Sequence, residues 1–186
     1  YLYLLALFII LLIALLIRLH FLNLNSEVDI ADESEYLVMA NSFAKGEIMY
    51  QWPFYRPFLL PLLWGILLNG NFVLIRYSLV IFSLFSVFLT YLIGKDLFNK
   101  KVGLIAALLF AFFPDEILHS TRVLLNSPAL TVWLLSVYLF QKSYFLDPNE
   151  NFKIFNYSLN KSKTLLYLCG FITGIAILVY NQNIVL

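Results

Sequence analysis

The sequence predicts an all-α integral membrane protein, a polytopic helix bundle of about five spans with an outer loop of surface helices between spans one and two. Three observations carry this. Hydrophobic residue types make up 62% of the 186 residues and charged types only 12%, against roughly 25% charged in soluble domains. Apolar runs recur at lengths that suit a bilayer core of roughly 30 Å. The charges gather in the stretches between those runs. A soluble enzyme, a disordered chain and a nucleic-acid-binding domain are all disfavoured, because so little charge cannot coat a water-facing surface. The balance of 12 Lys+Arg against 11 Asp+Glu, a net +1, offers no basic stripe for a phosphate backbone. Cys169 is the single cysteine and has no internal disulfide partner. With Tyr1 at its start and an apolar stretch at its end, the chain reads as the N-terminal part of a longer membrane module.

Span one covers about 1–22 and is uncharged as far as Ile17, with Arg18 and His20 near its end. No small-residue cleavage site follows Leu22, so the segment is a helix rather than a signal peptide. Span two covers about 72–94 and closes on Lys95, Asp96, Lys100 and Lys101. Span three, about 98–118, is apolar only from Val102 to Pro114 before Asp115 and Glu116 interrupt it. Spans four and five cover about 123–142 and 164–186. Gly170 and Gly174 in the last give a small-xxx-small spacing suited to close helix approach.

Seven of the eight lysines (Lys95, Lys100, Lys101, Lys142, Lys153, Lys161 and Lys163) lie between spans two and three or between spans four and five. By the positive-inside rule those loops and the N-terminus are cytoplasmic. The loop 23–71 and the turn 115–122 then face outward. The sequons Asn156-Tyr157-Ser158 and Asn160-Lys161-Ser162 fall on the cytoplasmic side and read as chance matches.

The outer loop holds six of the eleven acids: Glu27, Asp29, Asp32, Glu33, Glu35 and Glu47. A helix starting near Asp32 would place Tyr36, Met39, Ala40 and Phe43 on one apolar face, with Lys45-Gly46 as its stop. Such a helix would lie along the membrane surface with that face down. The segment Tyr55 to Gly65 is short and proline-marked, and reads as a helix dipping into the outer leaflet with Pro57 in its first turn. Asp32 with Glu35 fits a capping box. Asp32-Glu33 fits equally well a base or metal ligand where the loop meets the bundle.

The second outer turn holds Asp115, Glu116, His119 and Arg122. Thirteen apolar residues before Asp115 cover roughly 20 Å of a roughly 30 Å core. Either the helix starts earlier, near Leu97, or the two acids lie below the surface plane, where a carboxylate costs at least about 2.5–3.5 kcal/mol and usually faces a wet cavity. Asp115 and His119 share a helix face, as an ion pair, a metal site, a proton relay or a plain polar turn. All four arginines (Arg18, Arg56, Arg76, Arg122) map to the outer half, against the positive-inside trend. Guanidinium groups bind phosphate in a bidentate way, which suits a lipid-phosphate substrate. Ion pairing with the loop acids is the other reading.

Together these residues resemble a known family. Arg18 ends the first span, and Asp32-Glu33-Ser34-Glu35-Tyr36 follows, then Ala40 and Lys45-Gly46. Tyr55-Arg56-Pro57 leads into Leu59 to Gly65. Gly94-Lys95-Asp96-Leu97-Phe98, Val102-Gly103, Pro114 and Arg122 complete the series. The pattern is similar to the membrane-embedded GT-C glycosyltransferases, near the protein O-mannosyltransferase-like and aminoarabinose-transferase-like groups. The resemblance implies a sugar transferred from a polyprenyl-phosphate donor to a hydroxyl on a protein, lipid or glycan acceptor. The site would lie on the extracytoplasmic face of the cell membrane.

The resemblance makes Asp32 the catalytic carboxylate with Glu33 beside it, and Tyr55, Arg56, Arg122 and Asn126 substrate-binding residues. Asn126 stands where relatives often carry a second acid. Asp115, Glu116 and His119 are the candidate metal ligands. No cofactor follows from the sequence beyond a divalent ion as one way to neutralise phosphate. In this chemistry Asp32 takes the acceptor proton, Arg56 offsets the leaving phosphate, and a single displacement inverts the anomeric centre. The rivals are a lipid-linked sugar flippase or other polytopic transporter, and a non-catalytic homologue, which Asn126 favours.

Overall fold

The protein is described as a computed structural model over residues 1–24, 31–47, 56–146, 151–154 and 157–180, with the side chains of 31 and 151–159 left aside. Among the described residues eight helices and one short hairpin follow in order. They are α1 (Leu2–Leu24), α2 (Ala31–Ala44), α3 (Leu59–Leu68), α4 (Phe72–Leu97), α5 (Lys100–Ala111), α6 (Pro114–Thr121) and α7 (Asn126–Phe145). After the antiparallel pair β1 (Asn151–Ile154) and β2 (Tyr157–Asn160) comes α8 (Lys161–Val179). The fold is all-α and of the membrane type, as the composition requires. Glu27, Asp29, Tyr55, the Asn156 sequon and residues 181–186 fall outside the described residues.

Local chemistry sets the boundaries. Asn71, Asn99 and Asn160 each accept backbone N–H bonds at the starts of α4, α5 and α8, satisfying donors that a helix start leaves open. The Asn160 side chain is therefore the cap of α8. Asn69 in the left-handed conformation and Gly70 close α3. Gly46, at φ 70°, follows α2 where the sequence placed a stop.

Among the described residues three helices are long and apolar enough to cross a bilayer, α1, α4 and α8. A fourth crossing is counted if α5 and α6, bent by 58°, form one broken span. Fewer helices than the expected five meet that length-and-hydropathy measure, for two reasons. Span three breaks at Phe112-Phe113 because Pro114 begins a new helix and has no N–H to continue the old one. The expected span 123–142 is α7, which is polar at both ends, from Asn126-Ser127 to Gln141-Lys142-Ser143. Its polar side chains turn into the bundle. Thr131 bonds Ser86 of α4 at 2.8 Å, Ser136 bonds Thr173 of α8 at 2.6 Å, and Gln141 donates to the Ile93 carbonyl. Such pairs hold helices together without apolar side chains.

The helix order separates the two ends of the bundle. At one end the ring of Tyr3 in α1 lies 5.7 Å from Lys100 Nζ, and Asp96 binds Lys142 at 2.7 Å. The lysine-rich loops thus share an end with the start of α1. At the other end lie α2, α3, α6 and the start of α7. One core cluster ties α1 to α4 and α5 through Leu7, Ile10, Ala14, Val87, Tyr91, Ala107 and Ala111. A second gathers Tyr36, Met39, Ala40, Leu60, Trp64, Ile75, Leu79, Val123 and Leu125. The apolar face of α2 is therefore covered by protein, not laid on lipid as the sequence suggested. Pro57 precedes α3 rather than entering its first turn.

The close helix approach also lies elsewhere than expected. A Cβ on Gly170 or Gly174 would meet nothing within 4 Å, whereas one on Gly103 would sit 2.7 Å from the Tyr91 carbonyl and 2.8 Å from Lys95 N. The α4–α5 contact is thus glycine-dependent. Gly103→Ala forces the two backbones apart and should cost about 1–3 kcal/mol, read as a lower thermal midpoint. Gly174→Ala should leave the midpoint unchanged or raise it, since Ala favours helix. Equal effects from both would contradict the assignment.

Two arginines have structural work at helix ends. Arg18 is fully buried, donating from Nε to Ser83 Oγ (2.7 Å) and from Nη1 to the carbonyls of Ala14 and Ala111. Arg76 donates to the carbonyls of Leu22 (2.6 Å) and Thr121 (3.1 Å). Ala111, Leu22 and Thr121 lie in the last turns of α5, α1 and α6, where carbonyls lack intrahelical partners and a cation is favoured.

Candidate functional site

The site is built on the first turns of α2. Asp32, Glu35 and Tyr36 stand at i, i+3 and i+4, so they share a face. The buried Tyr36 anchors that face in the core. Arg56, from the segment just before α3, reaches back over it. Its Nη2 donates to Asp32 Oδ1 at 2.6 Å, its Nε lies 2.8 Å from Glu35 Oε2, and its Nη1 is 3.5 Å from the Tyr36 hydroxyl. The guanidinium stacks over the Tyr36 ring, 5.5 Å from its centroid. The Glu35 contact is close but off the N–H direction, so it is coulombic rather than a hydrogen bond.

Exposure differs across the group. The Arg56 side chain is 11% exposed, while those of Asp32 and Glu35 are each 41% exposed. A partner arriving from solvent meets the two carboxylates first. The hydrogen bond to Asp32, in spite of partial burial, raises the Arg56 pKa above its usual value. Burial raises the Tyr36 pKa, opposed by Arg56, so its hydroxyl stays protonated.

Glu33 points elsewhere. Its carboxylate is buried and accepts the Val123 backbone N–H at 2.7 Å, with Arg122 Nη1 at 3.4 Å. This joins α2 to the turn between α6 and α7. The adjacent acids of the sequence motif thus have separate partners, Asp32 the Arg56 guanidinium and Glu33 the Val123 amide together with Arg122.

The second turn is only partly drawn in. Glu116 is buried and accepts from Ser127 Oγ at 2.6 Å, while Asp115 is exposed. His119 is half-buried, and Asn126 is half-buried at the start of α7. The suggested metal set of Asp115, Glu116 and His119 does not gather. Among the described residues no three His, Cys, Asp or Glu side chains are placed to hold an ion. Sequence reasoning weighed Glu35 only as a capping partner, although its i+3 spacing from Asp32 was the signal for a shared face. Ser127 had no signal, since its partner comes from another helix.

Residues 64–180, more than half of the chain, match the family described as dolichyl-phosphate-mannose-protein mannosyltransferase. No curated protein and no solved structure matches the chain. The matched stretch runs from within α3 to the end of α8; Asp32, Glu33 and Arg56 lie before it. Helices apolar enough to cross a bilayer agree with that family's membrane setting. This chain belongs to the dolichyl-phosphate-mannose-protein mannosyltransferase family, and is an integral membrane glycosyltransferase of the GT-C type.

Proposed function

We propose that the protein moves a mannose-like sugar from a polyprenyl-phosphate donor to a hydroxyl on an acceptor, on the extracytoplasmic face, with Asp32 as general base. The observation that carries this reading is a half-exposed carboxylate paired at 2.6 Å with a largely buried arginine. A base and a phosphate-binding cation side by side are what the displacement needs. The acceptor oxygen attacks the anomeric carbon, Asp32 takes its proton, and the bond to phosphate breaks on the opposite face, inverting the centre. Arg56 offsets the charge on the departing phosphate. A largely apolar hollow of about 430 Å³ lies between α1 and α6, lined by Phe21, Pro114, Asp115, Ile117 and Leu118, and none of Asp32, Tyr36 or Arg56 lines it.

Tyr55, Arg122 and Asn126 enter this proposal only as neighbours of the acceptor or donor. Glu33, with its carboxylate on Val123 N–H, positions α2 rather than taking a proton. The extracytoplasmic side rests on the lysine distribution. Labelling of cysteines introduced at Ser34 and Ser158 in intact cells checks it: Ser34 should react from outside and Ser158 should not.

Arg56→Ala tests the phosphate role. Loss of a charge-assisted contact should raise the donor KM by roughly tenfold or more. An unchanged donor KM would remove Arg56 from the donor site.

A further inference from the structure

The Arg56 guanidinium is aligned with one of the two carboxylates beside it. Asp32 holds the aligned bond from Nη2, and Glu35 waits 2.8 Å from Nε without one. Oε2 of Glu35 is buried at its tip and accepts no aligned hydrogen bond. The end-on fork of the guanidinium, Nη1 with Nη2, faces the Tyr36 hydroxyl at a long 3.5 Å and Asp32 at 2.6 Å. A phosphate takes such a fork in a bidentate way. Seated there, it would displace Asp32 and the weak tyrosine contact but leave the Nε side with Glu35. A phosphate on that fork competes with Asp32 for Nη2.

We propose that Glu35 is a positioning residue that takes over Arg56 when the donor phosphate displaces Asp32, so that the base is released only once the donor is bound. This rests on the reading of Asp32 as base and Arg56 as phosphate ligand. A small turn of the guanidinium aligns Nε–H on Glu35 Oε2, and Asp32, freed of its partner, faces the acceptor. Without the Glu35 charge the phosphate still seats on the fork, but nothing holds the guanidinium turned away from Asp32, which stays beside the cation as a weaker base.

The experiment compares Glu35→Gln, Glu35→Asp and Asp32→Asn in the full-length protein in vesicles, with polyprenyl-phosphate mannose as donor. Binding of polyprenyl phosphate is measured alongside as a probe that cannot transfer. Glu35→Gln should lower kcat by roughly tenfold or more, the scale of a charge-assisted contact. Its donor KM and polyprenyl-phosphate affinity should be no weaker than wild type, because a negative charge has been removed. Its thermal midpoint should be unchanged, and Glu35→Asp should recover part of kcat. A purely structural glutamate would move stability and not this split. If Asp32→Asn is inactive but Glu35→Gln has wild-type kcat, or loses activity wholly through donor KM, the exchange is wrong and the base assignment stands. If Asp32→Asn transfers normally, the base assignment falls and the exchange falls with it.

Discussion

Asp32→Asn in the full-length protein should lower sugar transfer by at least about 10²-fold, the lower end of what a positioned general base contributes, with yield and thermal midpoint near wild type. The structure explains why the asparagine is a clean test. Asp32 is the second residue of α2 and its carboxylate is 41% exposed, so no packed core depends on it. The asparagine carbonyl can still accept from Arg56 Nη2, now 2.6 Å from Asp32 Oδ1. Loss of the charge near a helix start costs only about 0.3–1 kcal/mol. A folded protein with a dead site is therefore expected. Near-normal transfer would send the search for a base to Glu35, Asp115 or Glu116.

Glu33→Ala should do the reverse, harming the fold first. It leaves the Val123 N–H without its 2.7 Å acceptor and takes a carboxylate away from Arg122 in a place where Glu33 is only 2% exposed. Removing one partner of a buried pair costs on the order of 3 kcal/mol. The thermal midpoint should drop by many degrees, and any activity loss should track the folded fraction. Glu33→Gln keeps an acceptor for Val123 N–H and should recover most of the stability. A stable but inactive Glu33→Ala would instead give Glu33 a chemical role beside Asp32.

Adjacent acids with such different roles show what a sequence carries and what it does not. The i, i+3, i+4, i+7 pattern of Tyr36, Met39, Ala40 and Phe43 marked the buried face of α2, and Lys45-Gly46 marked its end, because both are local. What covers that face was not local. Leu60, Trp64, Ile75 and Val123 come from three other parts of the chain, so a membrane surface was an equally good partner on pattern alone. The Glu33 bond to Val123 spans 90 residues and ends on a backbone amide, which no side-chain pattern reveals. The family resemblance gave Asp32 and Arg56 their separate roles, ion pairing of the arginines with the loop acids was the other reading of the charges, and the geometry of the pair comes from the structure.

Fewer helices than expected are long and apolar enough to count as spans, for a physical reason too. Pro114 was visible, yet an apolar run hides a break until the chain direction is known. Helix α7 was counted as a span although its ends are polar, and the pairing that makes this tolerable, such as Ser136 with Thr173, lies between helices. Small-residue spacing named Gly170 and Gly174, but close approach depends on what lies opposite. Opposite Gly103 lies the backbone of α4, and opposite the other two lies nothing.

The central claim is that the protein transfers a lipid-linked sugar rather than carrying it across the bilayer. The direct measurement uses the purified full-length protein in vesicles, with radiolabelled polyprenyl-phosphate mannose and a hydroxyl-bearing peptide. The label should become covalently bound to the peptide with its anomeric configuration inverted, and Asp32→Asn should prevent this. Label that stays on the lipid and only changes leaflet, equally in wild type and Asp32→Asn, would contradict the account and make the protein a transporter.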